Sequence, residues 1–303
     1  MQTTALKSDG ILLLTAIIWG FAFVAQRVGM EYVGPFAFNG VRFALGCLVL
    51  LPFLVKSGFR NDSRRINKKP INVRTAIFGG LLAGLALFIG ASLQQVGLVY
   101  TTAGNAGFIT GLYVVIVPVL GLFLRQRTNT GTWLGVGLAT IGMYFLSVTE
   151  HFSVAYGDVL ELIGAFFWAG HVLIIGWLSP RMESFKLAFL QYAACSLLSL
   201  VTSAFFEVTT LNALVLAAIP IFYGGILSVG IAYTLQVIAQ KKAHPAHAAI
   251  LLSLEAVFAA LGGWILLKEV LLARQIAGCA LMLAGMLVSQ LWRFADAMAK
   301  DEM

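Results

Sequence analysis

The chain has 303 residues, 60% of them hydrophobic and 11% charged, with a mean hydropathy of +0.91. A soluble domain is roughly 45–50% apolar and about 25% charged, so a soluble globular protein is excluded and a membrane is the predicted solvent. The formal net charge of +7 does not indicate nucleic acid, because seven basic residues crowd into one stretch (Lys56, Arg60, Arg64, Arg65, Lys68, Lys69 and Arg74) and read as a topology signal.

A membrane span needs about 20 apolar residues, in a range of about 17–25, to cross a core of about 30 Å, and ten stretches fall in that range. The first, about 10–27, carries Trp19 near its middle. One lysine and no small-residue cleavage site precede it, so it reads as a retained helix and not a signal peptide. The second, about 36–55, holds Arg42, which either snorkels along its apolar stem, pairs with an acid or attracts an anionic substrate group. The third, about 75–97, carries Gln94. The fourth, about 102–123, opens on the Gly-rich "TTAGNAG", a start that sets Asn105 to line a site. It continues through Tyr113 to Pro118, whose missing N–H disrupts the preceding turn.

The fifth span, about 132–148, carries Gly135 and Gly142. The sixth, about 157–177, has Glu161 near one end, on a stripe with Trp168, and His171 comes three residues later; Glu161 reaches either a site or the outer headgroups. Trp19 and Trp168 stand mid-helix, where interfacial anchoring does not apply; a cavity wall and core packing suit them equally. The seventh and eighth, about 185–206 and 215–237, contribute Gln191 and Gln236, which interhelical hydrogen bonds explain. In the ninth, about 244–267, His244 and His247 flank Pro245 beside Lys241 and Lys242, an HxxH that reads as a solvated edge and not a metal site. Glu255 lies near the centre of that span. On a continuous helix Ala248, Leu251, Ala259 and Gly262 share its face, and Ile250, Val257 and Trp264 form an opposite, lipid-suited face. A charge at this depth costs roughly 2.5–3.5 kcal/mol and marks a substrate pathway or proton relay, unless a neutral glutamate simply bonds a neighbouring helix. The tenth, about 273–293, carries Gly278 and Gly285. The cysteines (Cys47, Cys195 and Cys279) stand singly in apolar runs, so no disulfide, metal or cofactor is predicted.

The chain reads twice. A shift of 149 sets Asp158 on Asp9, Trp168 on Trp19 and Tyr192 on Phe43. A shift of 142 sets Gln236 on Gln94, Leu254 on Leu112 and Glu255 on Tyr113. A shift of 143 sets Gly278 on Gly135 and Gly285 on Gly142. The predicted fold class is all-α and polytopic, ten transmembrane helices in two five-helix repeats, residues 1–150 and 151–303 with a short C-terminal tail. Five spans per repeat is odd, so the repeats are inverted, an arrangement that places a substrate site near the midplane between them. Lys7, the basic cluster, Arg125, Arg127, Arg181, Lys186, Lys241, Lys242, Arg293 and Lys300 fall on one side. Arg27, Lys268 and Arg274 fall on the other. Both termini are therefore predicted to be cytoplasmic.

The stretches "AIIWGFAFVAQRVG", "NGVRFALG", "AGNAGFITGLYVVIVPVLG", "GDVLELIGAFFWAGHVLI" and "AAILLSLEAVFAALGGWILLKEVL" carry a resemblance to the drug/metabolite transporter superfamily, specifically its EamA-type members. The likeness runs over about residues 9–293. It implies a bacterial inner-membrane carrier of two five-helix halves, in a group whose members export amino acids, other metabolites or toxic compounds. "RQR" at 125–127 stands where many relatives have Gly-Glu, and Ala256 where many have proline; both departures bear on substrate and not on fold.

The sequence thus predicts a secondary transporter, an exporter of small metabolites or drugs working by alternating access, with Trp19, Asn105, Tyr113, Trp168, His171 and Glu255 at the site and Arg42, Gln94 and Glu161 as secondary candidates. Proton coupling through Glu255 is the accompanying expectation. No GxxxxGK[ST] stretch is present for ATP. The partners are a small-molecule substrate and the lipid bilayer, with no nucleic acid; the glycines of the fifth and tenth spans suit packing within one chain or in a homodimer alike. An uptake or exchange carrier for an anionic metabolite, motivated by Arg42, is the alternative reading. An intramembrane lipid-modifying enzyme and a channel are the readings from other classes, and neither has its motif: no HxxxxD-like pair faces a surface, and no charged ring is present.

Overall fold

The computed structural model describes residues 2–57, 71–126, 128–147, 156–270 and 272–301. Arg60, Arg64, Arg65, Lys68, Lys69, Arg127 and the 150/151 repeat boundary lie outside the described residues, as do the side chains of Arg293 and Lys300. Among the described residues the chain is helical throughout, without a β-strand. The helices of the first half are α1 (Gln2–Gly29), α2 (Pro35–Ser57), α3 (Val73–Tyr100), α4 (Ala103–Gly111), α5 (Tyr113–Phe123) and α6 (Thr130–Ser147). Those of the second half begin with α7 (Tyr156–Leu178), α8 (Ser184–Phe206), α9 (Leu211–Leu216) and α10 (Ala218–Phe222). A π-helical segment (Tyr223–Tyr233) leads into α11 (Thr234–Ala239), α12 (Pro245–Leu252), α13 (Glu255–Leu267) and α14 (Ala273–Asp301).

Among the described residues eight helical spans are long and apolar enough to cross a membrane, and α14 adds a shorter apolar stretch, Ile276–Ser289. Helices dominate because lipid offers no partner to backbone N–H and C=O groups. Large apolar side chains such as Phe78, Phe123, Phe205 and Ile219 point outward, as a lipid-facing surface requires.

The packing of the two halves is reciprocal. α3 packs on α7 while the π segment packs on α1; α3 packs on α8 while the π segment packs on α2; α4 meets α13 and α5 meets α12. The seam between α6 and α14 shows the same relation at atomic scale. A Cβ on Gly135 would lie 2.7 Å from the Gly285 carbonyl oxygen, and one on Gly142 would lie 2.5 Å from that of Gly278. The early glycine of each helix meets the late glycine of the other, so the pair is antiparallel, and small residues let the backbones touch. These glycines therefore pack within the chain. Asp9, His247 and Ser289 meet in one hydrogen-bonded set, which brings the starts of α1 and α12 and the latter part of α14 to one end of the bundle.

Two long-range details fix helix ends. The Glu207 carboxylate at the end of α8 accepts from the Phe36 and Ala37 amides at 2.9 and 2.7 Å, capping the N-terminus of α2. Lys268 takes a left-handed conformation (φ 57°) and ends α13, with the Glu269 amide returning to the Gly263 carbonyl.

Two expectations about the spans are corrected. The lipid-suited face read from Ile250 and Val257 does not exist, since both are buried and only Trp264 of that set is exposed. The Pro245–Leu267 span has neighbours on nearly every side, being 67% buried, and its break at Ser253–Leu254 resets the helical phase on which the reading relied. His247 is buried against Asp9 and Ser289 and is not solvated; its two hydrogen bonds offset its transfer from water.

Candidate functional site

Tyr113 and Glu255 each open the second half of a broken helix. At the first break the Leu112 amide turns back three residues to the Ile109 carbonyl, and Val115 does the same to Leu112. At the second, Leu254 bonds to Leu251, Ala256 to Ser253 and Val257 to Leu254. These are the tightened steps of a 3₁₀ turn. Pro118 lies beyond the first break, and its counterpart in the second half is Ala260, so proline is not the cause the two breaks share. In the second, the Ser253 hydroxyl donates back to the Ile250 carbonyl at 2.9 Å, a bond that bends helices locally. Gly107 lets α4 lie against Ala256 and Ala259 of α13, which sets the two breaks side by side.

Beside the breaks lies a narrow cavity with about 30 Å³ of free space. Trp19, Arg42, Gln94, Tyr113, Trp168, His171 and Glu255, all predicted from sequence, line it. Asn105 does not; it sits half-buried near the start of α4, while its amide caps onto the Thr102 hydroxyl. Glu161 is set back by one side chain. It is fully buried, accepts from the Thr110 hydroxyl at 3.0 Å, and Thr110 lines the cavity. The reading of Glu161 as a headgroup contact is thereby overturned, because α4 closes over that face of α7. Arg42 does not snorkel: it is 2% exposed, its Nε donates to Asn39 Oδ1 at 2.9 Å, and its guanidinium lies over the Phe38 and Phe43 rings. Among the described residues no carboxylate forms an ion pair with it.

Tyr233 is the residue the sequence reading missed. Its ring centroid lies 4.4 Å from that of Trp19 and 6.2 Å from those of Trp168 and His171, so one tyrosine joins the aromatic walls of both halves. It also lies within electrostatic reach of both Arg42 and Glu255. Its counterpart is Ala91, so the repeat gives no hint of it. The π-helical segment that Tyr233 ends turns more slowly than an α-helix and re-aims every side chain after it.

The amides behave unequally. Gln94 donates to Gln26 at 3.0 Å, and Gln191 sits 2.7 Å from His171 Nε2. Gln236 lines the cavity with neither end of its amide bonded, so the interhelical bond expected for it is not made. Tyr113 is near enough to Glu255 for their side chains to interact, although its hydroxyl has no closed hydrogen bond.

The profile of the EamA-like transporter family matches residues 6–148 and again 155–290. A protein of Archaeoglobus fulgidus described as an uncharacterized transporter is 35% identical over 94% of this chain and 86% of its own length. The uncharacterized transporter YoaV of Bacillus subtilis is 22% identical over 92% and 95%. The uncharacterized inner membrane transporter YedA of Escherichia coli is 27% identical over 53% of this chain and 50% of its own. A crystal structure superimposes with a TM-score of 0.70 over 94% of this chain and 97% of the other at 19% identity, a likeness of fold.

Proposed function

This chain belongs to the EamA-like transporter family, and from that premise we propose that it is a secondary carrier exporting a small zwitterionic metabolite, an amino acid or a close relative, by alternating access. One observation carries the reading. The cavity is lined by a cation, Arg42, and a carboxyl group, Glu255, that form no ion pair with each other, and Tyr233 is within reach of both. A ligand bearing a carboxylate and an ammonium group satisfies both, with the Arg42 guanidinium taking the carboxylate and the aromatic walls favouring the ammonium.

The paired helix breaks support a carrier. Discontinuous helices at a repeat interface are where transporters of inverted design hold their cargo, and rocking of one half against the other exposes it alternately. Residues 1–150 and 151–303 serve as the rocking halves, with both termini cytoplasmic in the inner membrane. Glu255 and, through Thr110, Glu161 are the groups to which a proton is coupled in this reading. The chain acts as a carrier and not an enzyme.

The test is flux in proteoliposomes driven by a pH gradient, comparing the wild type with Glu255→Gln. Loss of gradient-driven flux with retained counterflow exchange is the expected result; flux at the parent rate would remove the proton role. Arg42, the one fixed cation among the described residues that line the cavity, favours a second reading, uptake or exchange of an anionic metabolite. Net movement under imposed gradients of either sign separates it from export.

A further inference from the structure

The cavity has two walls that the sequence repeat matches residue to residue, and their hydrogen bonding differs. On the first-half wall, Trp19 Nε1 donates to the Ser228 carbonyl at 3.3 Å and Gln94 is tied to Gln26. On the second-half wall the matching Trp168 Nε1 has no partner, and the matching Gln236 has none at either its nitrogen or its oxygen. The residue matching Gln26 in the repeat is Ile175, an apolar side chain of the buried core. His171 stands where the first half has Ala22, and its Nδ1 is unpartnered while Nε2 faces Gln191 Oε1. The span also departs in its backbone, being π-helical over Tyr223–Tyr233 where its counterpart lies within the α-helix Val73–Tyr100. These three side chains are each more than nine-tenths buried and line the cavity. Folded proteins leave few buried polar atoms unpaired, and a cluster of them calls for a specific reason.

We propose that Trp168, His171 and Gln236 form the specificity face of the cavity, and that Gln236 reads an uncharged, hydrogen-bonding side group on the substrate, such as a carboxamide or hydroxyl. This rests on the zwitterion reading above, in which Arg42 and Glu255 hold the head of the ligand. The face offers N–H donors (Trp168, Gln236) beside acceptors (the Gln236 oxygen, and His171 Nδ1 when Nε2 carries the proton), with no formal charge. Such a surface matches a group that both gives and takes a hydrogen bond. It penalises an apolar group, which leaves the donors and acceptors unmatched.

The experiment is a tryptophan-fluorescence titration of the full chain in detergent with two probes, L-glutamine and L-norleucine, whose side chains are of similar length and differ in the amide. The wild type is expected to bind glutamine at least about tenfold more tightly than norleucine. Gln236→Leu is expected to bring that ratio below about threefold. Trp168→Phe removes the unpartnered Nε1 and keeps an aromatic ring, so it should reduce the ratio likewise; it also covers the case in which Gln236→Leu fails to fold. Equal binding of both probes by the wild type, or a preference that survives both substitutions, overturns the specificity face and leaves the zwitterion reading standing. Binding of neither probe removes the zwitterion reading and this inference together.

Discussion

Arg42 is a buried cation at the cavity wall. A guanidinium taken from water without a carboxylate partner is costly, and among the described residues a hydrogen bond to Asn39 and two aromatic faces offset the cost. Replacing a buried ion pair with well-packed apolar side chains is often neutral or stabilising by about 1–4 kcal/mol, and a buried charge without a carboxylate partner has less attraction to lose. Arg42→Met is therefore expected to hold or raise the thermal unfolding temperature in detergent while weakening carboxylate-bearing ligands by about a hundredfold, the loss of one charge-assisted pair. A variant that unfolds early and still transports at the parent rate would show that Arg42 is structural. Gln236 belongs beside it: both face the cavity, and the Gln236 amide is left without a partner.

The broken helices decide where Glu255 sits, and one glycine decides how close α1 comes to the break. A Cβ on Gly20 would lie 2.3 Å from Phe258 Cβ and 2.8 Å from the Glu255 carbonyl oxygen. The second of these is backbone, so relief requires α1 or α13 to move. Gly20→Ala is expected to destabilise by about 1–3 kcal/mol, as overpacking does, and to reduce transport more than a distant substitution of equal cost. Paired unfolding and flux measurements check it, and a variant with normal values in both would mean that the α1–α13 contact is not maintained in the membrane. The same break explains why helical periodicity misplaced Ile250 and Val257. A face assigned on one continuous wheel does not survive a 3₁₀ step at Ser253–Leu254.

At the scale of the whole molecule, the reciprocal contacts and the set joining Asp9, His247 and Ser289 bring the start of α1 and the latter part of α14 to one end of the bundle. The charge bias then predicts that this end is cytoplasmic, because basic segments near spans are retained there. Tags fused to each terminus are expected to be inaccessible to a membrane-impermeant reagent in intact cells and accessible after permeabilisation. Labelling of one tag alone in intact cells would contradict both the orientation and the even number of crossings.

Composition and period determined, from the sequence by itself, the coarse character of the protein. Lipid as solvent, helices as the permitted element and the duplication all rest on patterns tens of residues long, which single side-chain contacts do not change. Seven of the nine predicted site residues line the cavity for a related reason: a polar or aromatic group at mid-span has few other places to be. Asn105 and Glu161 fell outside because their depth was legible and their neighbours were not. What only the tertiary structure decided is which polar groups are spoken for. Gln94 and Gln236 match in the repeat, yet one is closed by Gln26 and the other is left open. Tyr233 reaches the cavity through a π-helical segment that its α-helical counterpart does not share. Hydrogen bonds are satisfied or left open by atoms a few ångströms away that belong to distant stretches of chain, and the sequence of one stretch does not say which.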